Sequence, residues 1–232
     1  MRPYYNSCSL MSQTFPVLRA FLFDLDGTLI DSKLDLVTSV NAMLRQMGRA
    51  ELPTDLAATY IGHGAPRLIA SALGPDAMDE QRRTGLSLFL AHYQQHKLDA
   101  TRPYPGVIEA LDSLAGFPMS VLTNKPTNMS VDILHGLGLA KYFRSIYGGD
   151  SFEKKKPDPI GALKILQDFG VSPAQAAMVG DSEVDTQTAR NAGTLAVAVN
   201  YGFGVHDRAA HPADLYLDTL TDLVGLTRNH HC

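Results

Sequence analysis

The sequence predicts an α/β protein: a Rossmann-like parallel sheet core covered by helices on both faces, with a helical subdomain inserted after its first strand. Three observations carry this. An almost unbroken apolar run (Val17, Leu18, Ala20, Phe21, Leu22, Phe23) has the length and composition of a buried parallel strand. From residue 103 onward, short apolar runs alternate with helical patterns, as in βα units joined by right-handed crossovers. Between Ser32 and about Thr101 only helical patterns occur, with no strand-like alternation. The expected division is a flexible leader over 1–16, a core of 17–31 plus 102–232, and a helical insert over 32–101.

Taken in order, the first strand is followed by a helix in which Leu34, Val37, Val40, Leu44 and Met47 recur at three- and four-residue spacing, closed by Gly48. Further helices are punctuated by Pro53, by Ile61-Gly62-His63-Gly64 and by Gly74-Pro75. Pro103-Tyr104-Pro105-Gly106 marks the return to the core. There the pattern predicts helices over 107–114, 127–137, 159–169 and 184–191, strands over 119–122, 145–147, 176–179 and 195–199, and a last strand–helix pair within 215–226.

Size and composition bound the function. A chain of 232 residues with 45% hydrophobic and 19% charged residues buries a substantial core. A net charge of -4 offers no basic surplus for a nucleic-acid backbone, so no nucleic-acid partner is expected. No apolar run approaches the roughly 20 residues that span a bilayer, so no membrane partner is expected either. Cys8 and Cys232 are too few and too terminal for a disulfide framework, and residues 1–13 lack a signal-peptide apolar segment, so a reducing, cytoplasmic setting is the expectation. Met11 is an alternative start, and the His230-His231-Cys232 tail reads as a solvated end.

The centre of the chain's chemistry is Asp24-Leu25-Asp26-Gly27-Thr28-Leu29-Ile30-Asp31-Ser32. Two carboxylates arrive where the first strand ends, and ligands of open parallel sheets gather beyond those ends. Like charges so close call for a cation or a proton, and an all-oxygen set suits Mg²⁺. The plainer reading is an acidic turn with Thr28, Asp31 or Ser32 capping the next helix. Other strand ends deliver Thr123-Asn124-Lys125, and Gly180-Asp181-Ser182 with Asp185 one turn on, while Lys154-Lys155-Lys156-Pro157-Asp158-Pro159 sets a cation before a helix. Each alone reads as a cap or a solvated run. Together, four carboxylates, a hydroxyl and a lysine make a site for a phosphate and a divalent ion, and the reaction such a site runs is phosphoryl transfer through a carboxylate nucleophile.

Four stretches, DLDGTLIDS, LTNK, KKKPDP and GDSEVDTQTARNAG, resemble in order and content the signature motifs of the haloacid dehalogenase superfamily of phosphohydrolases. The resemblance implies that Asp24 is the phosphorylated nucleophile. It implies that Asp26 is the general acid/base and offers its backbone carbonyl to Mg²⁺. Thr123 and Asn124, with Lys125 beside them, would bind the phosphoryl group, and Lys156 would stabilise its charge. Asp181 and Asp185 would complete a metal set with Asp24 and Asp26. The helical insert corresponds to the family's mobile cap, which closes over the sheet edge and excludes water.

Within the family, Asp31-Ser32 with Asp35-Leu36, Asn41 and Met43-Leu44, the stretch Tyr60 to Ile69, and Tyr104-Pro105-Gly106-Val107 resemble the phosphoglycolate phosphatase branch. Gly62 and Gly64 flank a loop able to approach a small substrate, with His63 as a candidate contact. Arg67 could meet a carboxylate or stand as a solvated helix residue. The expected reaction is Mg²⁺-dependent hydrolysis of 2-phosphoglycolate. The alternative is another small phosphate ester or pyrophosphate, and the expected partner is a small phosphorylated metabolite met by a monomer or homodimer. A hexose-phosphate mutase lacks support because that branch's histidine-containing cap signature is missing. A receiver-like phospho-acceptor switch would carry no long helical insert and no second acidic pair late in the chain.

Overall fold

The computed structural model describes residues 17–204 and 207–228. The leader, Met11, Cys8, Cys232 and the His230-His231-Cys232 tail lie outside the described residues. Six strands, β1 (Ala20–Phe23), β4 (Met119–Leu122), β5 (Ser145–Tyr147), β6 (Ala176–Gly180), β7 (Leu195–Val199) and β8 (Leu215–Leu217), form one sheet in the order β5-β4-β1-β6-β7-β8. Every neighbouring pair is parallel. The α/β parallel-sheet expectation is therefore met.

Alternation along β1 shows why both faces are covered. Phe21 and Phe23 join the larger apolar cluster on one face, and Ala20 and Leu22 join the smaller cluster on the other. All four are fully buried, so the strand reads as one unbroken apolar run rather than an alternating one. β6 divides in the same way, with Ala177 and Val179 on the first face and Ala176 and Met178 on the second. Helices α5 (Val107–Ser113), α6 (Thr127–Gly136), α7 (Ile160–Phe169), α8 (Glu183–Ala192) and α9 (Asp222–Arg228) supply the covering layers.

The chain leaves and re-enters the core through a second, two-stranded antiparallel sheet. In it β2 (Ile30–Asp31) pairs with β3 (Arg102–Pro103), Ile30 opposite Pro103 and Asp31 opposite Arg102. Helices α1 (Lys33–Gln46), α2 (Thr54–Ala58), α3 (Ala65–Leu73) and α4 (Asp79–His96) lie between these strands. Asp35, buried at the start of α1, closes the exit. Its carboxylate accepts from Ala100 N (2.9 Å), Thr101 N (2.8 Å) and Thr101 Oγ1 (2.7 Å). Gly85 lets α4 cross closely, since a Cβ there would stand 3.1 Å from both Ile69 and Leu73. Leu34, read from its spacing as part of the apolar stripe of α1, is exposed, while Leu36 is buried. Helix α1 is covered on several sides, so no single stripe describes it. Among the described residues no helix is long and apolar enough to cross a membrane.

Candidate active site

The sheet order explains why distant motifs meet. β1 lies between β4 and β6, with Phe23 in register with Val121 and Val179. The residues that follow, Asp24, Thr123 and Asp181, therefore emerge side by side at the carboxyl edge. Asp24 N donates to Val179 O at 2.9 Å and Thr123 N to Tyr147 O at 3.0 Å, which carries the ladder up to the site.

Asp24, Asp181 and Asp185 are all buried, and each offers an oxygen within 4.8 Å of the others'. The Lys156 ammonium stands among them, 2.6 Å from Asp185 Oδ1 and 2.9 Å from Asp24 Oδ1. Asp185 Oδ2 is taken by Ser182 Oγ (2.7 Å) and Ser182 N (3.1 Å), so it caps its own helix as well. Asp181 Oδ2 accepts from Phe203 N (3.0 Å) and Gly204 N (2.6 Å). Asp24 Oδ1, although beside the ammonium, is buried with no hydrogen bond.

Three carboxylates against one ammonium leave a negative excess in a dry site. Burial lifts the Asp24 carboxyl to about 6 despite the pull of Lys156, with Asp185 adding to the rise. Burial likewise pushes Asp181 well above the carboxylate range, helped by Asp185 and Asp24. A buried all-oxygen donor set with excess negative charge and an oxygen that takes no hydrogen bond fits a hard divalent cation. Glycines make the room. A Cβ at Gly27 (φ +83) or Gly202 would collide with the Asp181 carboxylate, and one at Gly180 with that of Asp185.

Asp26 belongs to a different network. Lys125 Nζ donates to both its oxygens (3.0 and 2.9 Å), and Ser32 Oγ donates to Oδ1 at 2.5 Å. Ser32 occupies the N-cap position of α1 yet makes no cap hydrogen bond, so the plainer capping reading of this turn fails there. The Lys125 ammonium also donates to Tyr93 OH at 2.7 Å, reaching α4. Burial and the nearby Asp26 and Asp35 charges hold the Tyr93 phenol far above its usual range, so it stays neutral.

The loop before α3 is docked on this edge. Asn124 Nδ2 donates to Gly62 O (3.2 Å) and to Lys156 O (3.1 Å), and Lys155 Nζ donates to His63 O (2.7 Å). Gly64 (φ +86) permits the approach, as a Cβ there would stand 2.9 Å from Asn124 O. Of the three lysines, Lys156 enters the acidic cluster, Lys155 holds the loop, and Lys154 faces Asp158 at the surface. A cavity of about 40 Å³ lies beneath. Its lining combines Asp24, Asp26, Thr123, Asn124 and Lys125 with apolar residues that include Leu36, Leu68 and Phe89. Each water needs about 10–15 Å³ on this measure, so the enclosed space suits a small occupant.

The structure thus brings Asp24, Asp181, Asp185 and Lys156 together, with Thr123 and Asn124 alongside. It places the Asp26 carboxylate and Lys125 in their own pair. Gly62 and Gly64 line the cavity; His63 does not, and its imidazole is held below its usual range by burial and the Arg67 and Lys155 charges. Arg67 is exposed on α3, whose buried face is formed by Leu68, Ile69 and Leu73, and it stays outside the cavity. Sequence reasoning missed two contributors. One is the Gly202-Phe203-Gly204 turn after β7, whose amides hold Asp181; two glycines at the end of a buried parallel strand were its signal. The other is Tyr93, which nothing in a helical pattern distinguishes from a core tyrosine.

The sequence matches the family model of the haloacid dehalogenase-like hydrolases over residues 21–199, and the chain belongs to that family. It is a phosphatase, as the four motifs implied. A phosphoglycolate phosphatase of Chromobacterium violaceum is 35% identical over 218 residues, covering 91% of this chain and 97% of that protein. One from Aquifex aeolicus is 37% identical over 215 residues, covering 92% and 98%. Among solved structures, a predicted phosphoglycolate phosphatase from Haemophilus somnus superposes with a TM-score of 0.85 at 29% identity, covering 93% of this chain and all of that one.

Proposed function

We propose that the protein hydrolyses 2-phosphoglycolate, or a phosphomonoester of similar size, with Mg²⁺ and through an aspartyl-phosphate on Asp24. The observation that carries this is Asp24 itself: a buried carboxylate whose Oδ1 meets the Lys156 ammonium but takes no hydrogen bond, lining a small cavity and flanked by Asp181 and Asp185. The similarity to enzymes named phosphoglycolate phosphatase supports the substrate.

Mg²⁺, held by Asp24, Asp181 and Asp185, would offset the repulsion between an anionic nucleophile and an anionic ester. The Asp24 carboxylate attacks phosphorus, forming the acyl-phosphate bond as the bond to the ester oxygen breaks. The departing oxygen takes a proton from Asp26. Asp26, now a carboxylate, removes a proton from the water that attacks the phosphorus, and phosphate leaves with Asp24 regenerated. Lys156 balances charge on the phosphoryl oxygens and Thr123 positions them. The reading treats 32–101 as a cap over a core of 17–31 and 102–232. It sets the reaction in the cytoplasm, with a monomer or homodimer as the working form. A second reading, another small ester, is favoured by the apolar lining residues Leu36, Leu68 and Phe89, which offer no polar group to a substrate carboxylate.

Steady-state rates over a panel of phosphate esters, with and without Mg²⁺, test both. The expected result is metal-dependent turnover with 2-phosphoglycolate preferred; a flat profile removes the dedicated substrate. Turnover surviving Asp24→Ala, or a fluoroberyllate adduct on any other side chain, overturns the mechanism.

A further inference from the structure

The Tyr93–Lys125–Asp26 chain is a polar connection that runs from α4, in the helical insert, to the carboxylate read above as acid and base. Tyr93 is 1% exposed, its ring stacks on Phe89 (centroids 5.6 Å apart, 7° between planes), and it lines the cavity with Asp24 and Lys125. Its hydroxyl receives a hydrogen bond from Lys125 at 2.7 Å, and the same ammonium spans both oxygens of Asp26 at 3.0 and 2.9 Å. A lysine on a four-carbon stem has several rotamers to lose, and an exposed ion pair rarely fixes one. Here the tyrosine supplies the third point that fixes the ammonium, while Ser32 Oγ also donates to Asp26 Oδ1.

We propose that Tyr93 is a positioning residue for the leaving-group proton: through Lys125 it sets the Asp26 carboxyl where the departing oxygen will be. The insert then contributes to the chemical step and not only to closure of the cavity. This rests on Asp26 acting as the acid, so the test separates the two statements.

Esters with good and poor leaving groups make the distinction. A nitrophenolate leaves as a stable anion and needs little proton donation, whereas an alkoxide needs a proton as the P–O bond breaks. Tyr93→Phe removes the hydroxyl and keeps the stacked ring. Its kcat/KM on an alkyl phosphate is expected to fall about 10-fold, while kcat/KM on 4-nitrophenyl phosphate, whose leaving group needs little proton, falls less than about threefold. The ratio of the two rates is measured on one sample, so a partly unfolded preparation cancels out of it. In Lys125→Met the ratio should shift as far, and Tyr93→Phe added to Lys125→Met should shift it no further. Equal losses on both esters, no loss, or additivity with Lys125→Met overturns the inference. Asp26→Asn is the control on the premise. If it lowers kcat/KM, which reports the steps up to departure of the ester oxygen, alike for both esters, the acid assignment fails; if it is selective and Tyr93→Phe is not, the acid stands and the positioning role falls.

Discussion

Lys156 donates to Asp185 at 2.6 Å, and each side chain is only 1% exposed. Among the described residues no ionic contact is more buried, and Asp24 shares the same ammonium at 2.9 Å. Removing one member of a buried pair strands the other charge, which costs about 3–5 kcal/mol. Lys156→Met is therefore expected to lower the unfolding free energy by about that amount in metal-free buffer. Millimolar Mg²⁺ should restore part of it. Urea denaturation with and without the cation measures both, and turnover should fall by about 10²–10³-fold.

The acidic trio also sets a pH dependence. Asp24 titrates near 6 in the folded protein against 3.8 for an ordinary aspartate, and Asp181 is raised as well. A carboxyl raised on folding stabilises the protein when protonated, so its contribution is full below about pH 4 and is lost as pH rises through about 6. Without metal, the Asp24 contribution to Tm should decline across that window. If Mg²⁺ occupies the trio as proposed, it competes with those protons, and its stabilising effect should be larger at pH 7.5 than at pH 5. Thermal scans at the two pH values, with and without Mg²⁺, check the sign, and an equal Mg²⁺ increment at both would contradict it.

Two glycines with positive φ offer a matched comparison. At Gly27 an added Cβ meets the Asp181 carboxylate, while at Gly48 (φ +68) it meets nothing within 4 Å. Gly48→Ala should cost about 1 kcal/mol of backbone strain and leave kcat unchanged. Gly27→Ala should displace Asp181 and reduce Mg²⁺ affinity at least 10-fold, read by the Mg²⁺ dependence of turnover.

Asp35 takes three hydrogen bonds where the chain returns from the insert. One bond to a charged acceptor contributes about 1.5–3 kcal/mol, and donors sharing a single carboxylate do not add in full. Asp35→Ala is expected to destabilise by about 2–4 kcal/mol, with kcat of the folded fraction preserved.

Lys155→Met should loosen the loop at 62–64 by removing the bond to His63 O. Amide exchange there should quicken several-fold and KM should rise more than kcat falls. Unchanged exchange would mean that Asn124 alone holds the loop.

Much of this was legible in the chain before any coordinates. The run ending at Phe23 announces a buried strand because both its faces are covered, and the polar residues at the ends of β1, β4 and β6 announce the site because parallel strands all point their ends one way. What escaped was set by distance or brevity. β2 and β3 have two residues each, too few for any periodicity. Lys125 reads as part of a phosphate motif, yet its partner Asp26 lies 99 positions away and Tyr93 another 32 from it. Such pairings follow from tertiary packing alone. Leu34 shows the converse, a local pattern that packing overrode.

The β2–β3 ladder carries one more implication. Since Ile30 faces Pro103 and Asp31 faces Arg102, the chain departs and comes back through adjacent rungs. To the main sheet, everything strung between those rungs is equivalent to the tip of a hairpin, whatever its bulk. A differently sized cassette spliced at the same junction would enter and leave through the same two rungs, with the order of the main sheet's strands unaffected.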